Sequence, residues 1–118
     1  MRPFTVGLLA MAKAVPEVRH AVREHLGSVC PDAELCVSEL LTNVITHLGE
    51  GTPVTLRITG RATRTRVELT DPDPRVWPVL RQAGDGDESG RGLALLDAVA
   101  VRWGVSRGPD GKTVWCEL

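Results

Sequence analysis

The chain has 118 residues, 42% of them hydrophobic and 25% charged, with a formal net charge of −1. This is the mix of one globular domain, residues 1 to 118, with apolar residues enough for a single core, and it lies far from disordered or fibrous compositions. Near-neutral charge excludes a global field for nucleic acid or an anionic membrane, and no window approaches the roughly 20 apolar residues of a membrane span.

Cys30, Cys36 and Cys116 are odd in number and lack CxxC spacing, which points to a reducing, cytoplasmic setting. Arg2 followed by the apolar run Phe4 to Leu9 and Ala10-Met11-Ala12 resembles a short signal peptide, but a single Arg and so short a run serve equally well as a first strand, residues 3 to 9. The basic residues are mostly arginine, with Lys13 and Lys112 the lysines, and this bias is given no functional weight.

Pro16 and Glu17 suit a helix first turn, Val18, Val22 and Leu26 keep helical spacing, and Gly27 is placed to stop it. Pro31, Asp32 and Glu34 start a second helix that runs to Leu48 before Gly49. From Pro53 the period changes to two. Val54, Leu56 and Ile58 alternate with polar residues, a turn falls at Gly60 to Thr63, and Arg64 to Thr70 returns as a hairpin that Asp71-Pro72-Asp73-Pro74 must end. Residues 75 to 89 read as a loop, of a length more often functional than decorative. An apolar helix, Leu93 to Ala100, and two strands, 101 to 106 and 112 to 118 around a turn at Gly108 to Gly111, complete the chain. Early helices and late strands predict an α+β two-layer sandwich, a mainly antiparallel mixed sheet with helices on one face.

The second helix poses a chemical question. Val37, Leu41, Val44 and Leu48 share one side, while Glu39, Asn43 and His47 form a line four residues apart, away from that stripe. A solvated face is the plain explanation, although Asn suits a helix interior poorly. The functional one is that Asn43 offers a hard oxygen to Mg²⁺ and Glu39, a turn earlier, accepts a proton near a γ-phosphate. Gly90-Arg91-Gly92-Leu93 stands where a loop becomes a helix, so its N–H groups suit an anion, yet GxG is a weak motif and neither a Walker A sequence nor a dinucleotide fingerprint. Asp71 could accept from the amine of a base, or simply open a turn before Pro72.

In this order, VSELLTN (Val37 to Asn43) with His47, ELTD (Glu68 to Asp71), SGRGLALLD (Ser89 to Asp97), RWGV and GKTVWCEL resemble the Bergerat ATP-binding fold of the GHKL superfamily, shared by gyrase B, chaperone and mismatch-repair ATPases and histidine kinases. Within it the chain is most similar to the anti-sigma-factor serine kinases in their short actinobacterial form. The resemblance implies ATP and Mg²⁺ as cofactors, with Asn43 the Mg²⁺ ligand, Glu39 the base, and Asp71 the partner of the adenine amine. It further implies that Gly90, Arg91, Gly92 and Leu93 hold phosphate, that His47 lies near the nucleotide, and that Arg19 contacts a partner. The partners implied are an anti-sigma antagonist, phosphorylated on serine, and a competing sigma factor; a homodimer is expected by family analogy alone. Asp73 departs from the pattern, standing where the superfamily usually has glycine, and with Asp85, Asp87 and Glu88 it adds negative charge near the nucleotide.

Two alternatives compete with a kinase. One is a non-catalytic module that has kept the fold and sequesters an anti-sigma antagonist or sigma factor. The other, a DNA-reading helix pair, is disfavoured by the neutral charge and the acid-bearing second helix.

Overall fold

The computed structural model describes residues 2–27, 30–61, 64–74 and 96–118. Strand β1 (Phe4–Ala10) leads to helices α1 (Ala14–Leu26) and α2 (Pro31–Leu48), and these are followed by β2 (Thr52–Arg61), β3 (Arg64–Asp71), β4 (Arg102–Gly108) and β5 (Gly111–Glu117). The expected helix boundaries hold, for the local reasons foreseen. Gly27, at φ 76°, takes the left-handed conformation and returns its N–H to the carbonyls of Arg23 and Glu24, which closes α1. Pro31 opens α2, with Asp32 and Glu34 in its first turn. Of the expected helix from Leu93 to Ala100, residues 96–99 are helical and residues 93–95 lie outside the described residues.

Among the described residues the sheet has five strands in the order β1-β2-β3-β5-β4, and each of these pairings is antiparallel. The expected mixed sheet is thus antiparallel in these strands, because the chain crosses past β3 to lay β4 at the edge and returns through β5 to fill the gap. The β2–β3 hairpin is tighter than the sequence suggested: Gly60 still pairs with Thr65 and Arg61 with Arg64.

Period-two alternation divides the sheet into two faces. Val54, Leu56, Ile58, Val67, Leu69, Val114 and Cys116 point inward, and with Val18, Val22, Ala33, Cys36, Val37, Leu40, Leu41 and Val44 from the helices they form the core. Each fully buried Leu or Ile among them contributes about 1.5–3 kcal/mol by leaving water. The opposite face carries Thr55, Arg57, Arg66 and Thr70, with the Arg66 guanidinium 4.2 Å from the centre of the Trp115 ring. Gly104, beside Trp115 in the register, leaves the room that this ring occupies, since a Cβ there would lie 2.8 Å from it.

Two constraints fix the direction of α2 across the sheet. Near its start, the side chain of Cys36 lies against that of Cys116, and both residues are fully buried. At its end, Gly49 to Gly51 lead directly into β2, and the Gly51 N–H bonds to the Ala10 carbonyl. That end of β2 lies beside the end of β3, because Thr55 pairs with Thr70. Going from Cys36 to Asn43 advances the helix by about 10 Å, and going from Cys116 back to Lys112 retreats the strand by about 13 Å. Helix and strand run in opposite directions, so Asn43 is carried toward the sheet end that holds Asp71 and Lys112.

Candidate nucleotide site

The polar line of α2 is not a solvated face. Asn43 is 3% exposed, and Glu39 and His47 are half-buried. The helix is covered on two sides, by the sheet and by α1, so its buried arc widens beyond the expected stripe to include Leu40 and Asn43. Burial pushes the Glu39 carboxyl above the ordinary glutamate range, the direction that suits a proton acceptor at neutral pH.

Asp71 ends β3 with its carboxylate buried, and its surroundings are more organised than the sequence implied. The Asp73 N–H donates to Asp71 Oδ1 at 2.8 Å, forming a tight turn through Pro72. Opposite Asp71 in the register stands Lys112, fully buried although it is a lysine. Its Nζ donates to Asp71 Oδ1 at 3.1 Å and to the Asp73 carbonyl at 3.0 Å. Nζ is also 3.1 Å from Oδ2, so both oxygens feel the positive charge, but hydrogen-bond geometry is met only at Oδ1. Gly111 makes the approach possible: a Cβ there would run into the Asp71 carbonyl oxygen. The backbone of Asp73 is thus part of this turn, its N–H on Asp71 and its carbonyl on Lys112.

Among the described residues, two buried side-chain polar atoms have no hydrogen-bond partner, Asn43 Nδ2 and Asp71 Oδ2. Buried polar groups are normally paired, and orphans mark places where a ligand or water completes the set. Both belong to residues singled out from the sequence. The fit to a nucleotide follows from their chemistry: Oδ2 is an acceptor for an amine, and a half-turn of the Asn43 amide about Cβ–Cγ presents its oxygen to a cation. No group of three His, Cys, Asp or Glu side chains that could hold a metal occurs among the described residues. An open groove of about 640 Å³ touches Asp71 from the other side, between Leu9, Pro53, Thr70 and Asp110, and no α2 residue lines it.

Gly90, Arg91, Gly92 and Leu93 lie outside the described residues. Arg19 sits on α1 with its side chain 47% exposed and Nε 3.7 Å from Glu34 Oε1. Glu34 is the second buried carboxylate, 1% exposed, and Arg23 grips it with Nε on Oε2 at 3.2 Å and Nη2 on Oε1 at 2.8 Å. That hydrogen bonding holds the Glu34 carboxyl below the ordinary glutamate range against the opposing effect of burial. The sequence reading missed Lys112, though a signal existed: alternation along Gly111 to Glu117 puts Lys112 on the inward face with Val114 and Cys116.

Residues 8–118 match the family model of the histidine kinase-like ATPase domain. Over 83 residues, 69% of this chain and 79% of the relative, the sequence is 58% identical to an uncharacterized protein of Streptomyces coelicolor. The fold is similar to that of the RsbU and RsbW domains of Rv1364c from Mycobacterium tuberculosis, with a TM-score of 0.71 and 19% identity over 99% of this chain and 32% of that one. The chain spans about a third of that protein's length. With a family match over nearly all of its residues, this chain belongs to the histidine kinase-like ATPase domains, and ATP is the ligand which that membership implies. No helix among the described residues is long and apolar enough to cross a membrane.

Proposed function

We propose that the chain binds Mg²⁺-ATP between α2 and the Asp71 end of the sheet and acts as a regulatory protein serine kinase. Its acceptor would be a serine of an anti-sigma antagonist, with a sigma factor as competing partner. The observation that supports this best is that the two buried side-chain atoms without a hydrogen-bond partner among the described residues, Asn43 Nδ2 and Asp71 Oδ2, belong to the two residues that would hold the cation and the amine. When bound, ATP supplies the phosphoryl group, and Mg²⁺ neutralises its phosphate oxygens.

The chain's own residues do the rest. Asp71 Oδ2 accepts from the adenine amine, and Asn43 holds the cation through its amide oxygen. Glu39, raised by burial, takes the proton of the acceptor hydroxyl. The backbone of Gly90 to Leu93 holds phosphate, His47 borders the nucleotide, and the exposed Arg19 meets the partner protein.

The test is transfer of labelled γ-phosphate to antagonist domains beside calorimetric binding of Mg²⁺-ATP. Glu39→Ala is expected to keep binding and lose transfer by at least about 100-fold. A wild-type protein that binds nucleotide and transfers nothing to any antagonist domain would overturn the kinase reading and leave a binding module, whose complexes ignore Glu39→Ala.

A further inference from the structure

Lys112 is fully buried in a chain whose other described lysine, Lys13, is exposed. Placing a charge there carries a desolvation cost, so its position asks for a reason. Compensation of Asp71 is part of that reason, yet it does not explain the geometry. Lys112 reaches the turn from the strand opposite, bonds Asp71 Oδ1 and the Asp73 carbonyl, and leaves Oδ2 without a hydrogen bond. The Asp73 N–H converges on the same Oδ1.

From this we infer that Lys112 is a specificity-determining positioning residue, which clamps Asp71 from the turn side so that Oδ2 is the one acceptor presented to the base. The inference rests on the nucleotide reading above and deepens it. A carboxylate free to rotate offers either oxygen in many directions. With Oδ1 held by two donors, Oδ2 is fixed in space, and a rigid acceptor favours a purine bearing an exocyclic amine over one bearing a carbonyl at the same place. The choice of lysine is part of the device. An arginine fork takes both oxygens of a carboxylate, as Arg23 does at Glu34, and would leave nothing for a ligand. The ammonium is a compact charge 3.1 Å from both oxygens, and its hydrogen bond is aligned with Oδ1 alone, which leaves Oδ2 an acceptor for a further donor. The space for this approach comes from Gly111, where any side chain would meet the Asp71 backbone.

The experiment compares calorimetric binding of ATP and inosine triphosphate, which carries an oxygen in place of the amine, to wild type, Lys112→Met and Lys112→Gln. Wild type is expected to prefer ATP by roughly tenfold to a hundredfold, the worth of one hydrogen bond to a charged group. In Lys112→Met the preference is expected to fall to about threefold or less, with ATP losing far more affinity than the inosine nucleotide. If Lys112→Met does not fold, Lys112→Gln decides: it keeps a donor without the charge, and its preference is expected to drop by at least about threefold. An unchanged ratio in the folded variants, or an equal loss for both nucleotides, would overturn the role given to Lys112. A wild type that binds neither nucleotide would instead sink the nucleotide reading itself, so the two failures are told apart.

Discussion

Two carboxylates are buried among the described residues, and they are treated in opposite ways. Glu34, between α1 and α2, has both oxygens engaged by the Arg23 fork, with Arg19 close by. Asp71, at the end of β3, is equally deep but has one oxygen doubly bonded and the other unsatisfied. A buried charge whose bonding is complete ties elements together. One whose bonding stops halfway holds an acceptor ready for a further donor.

Removing the carboxylates should separate these roles. Asp71→Ala strands the Lys112 ammonium in the core, so chemical denaturation is expected to show a loss of about 3–5 kcal/mol. The double variant Asp71→Asn, Lys112→Met should recover much of that stability and none of the nucleotide binding. Glu34→Gln should lower the urea midpoint by less, with nucleotide affinity unchanged. Its pH signature is definite. The folded-state pKa of Glu34 is depressed, so its stabilisation is present above the ordinary glutamate value of 4.5 and is lost as pH falls below it. Acid titration of stability should therefore be flatter in Glu34→Gln than in wild type. Asn43→Ala is expected to have the smallest effect on folding. It removes an unsatisfied buried amide, so stability should change by no more than about 1 kcal/mol in either direction, while calorimetry should show Mg²⁺-nucleotide affinity falling at least about tenfold. A large loss of stability from Asn43→Ala would mean that this amide is a packing element, and the contrast between the two kinds of buried polar group would collapse.

Much of the scaffold was legible because local rules decided it. Gly27 and Pro31 bound their helices as expected, and the alternation from Val54 to Leu69 gave a hairpin with the correct inward face. The site was legible in part. Asn43 stood out as a residue type poorly suited to a helix interior, whereas Glu39 also fitted a solvated face and Asp71 a turn before Pro72; the burial of Asn43 depended on how two layers cover α2, which helical spacing on one chain cannot show. Lys112 was discounted as composition even though its place in the alternation marked it as inward-facing. The partnership of Arg23 with Glu34 joins two helices, and the first-turn position of Glu34 suggested only a macrodipole role.

The sulfur contact between α2 and β5 gives the molecule an internal clock. Cys36 and Cys116 are both fully buried, and the neighbouring Cys116 thiol together with burial pushes the Cys36 thiol well above the usual thiol range. Either one reacts only when the helix lifts from the strand, so the pace of alkylation counts those departures. A ligand that bridges Asn43 and Asp71 spans the same two layers a few residues away, and it would slow that count without touching either cysteine.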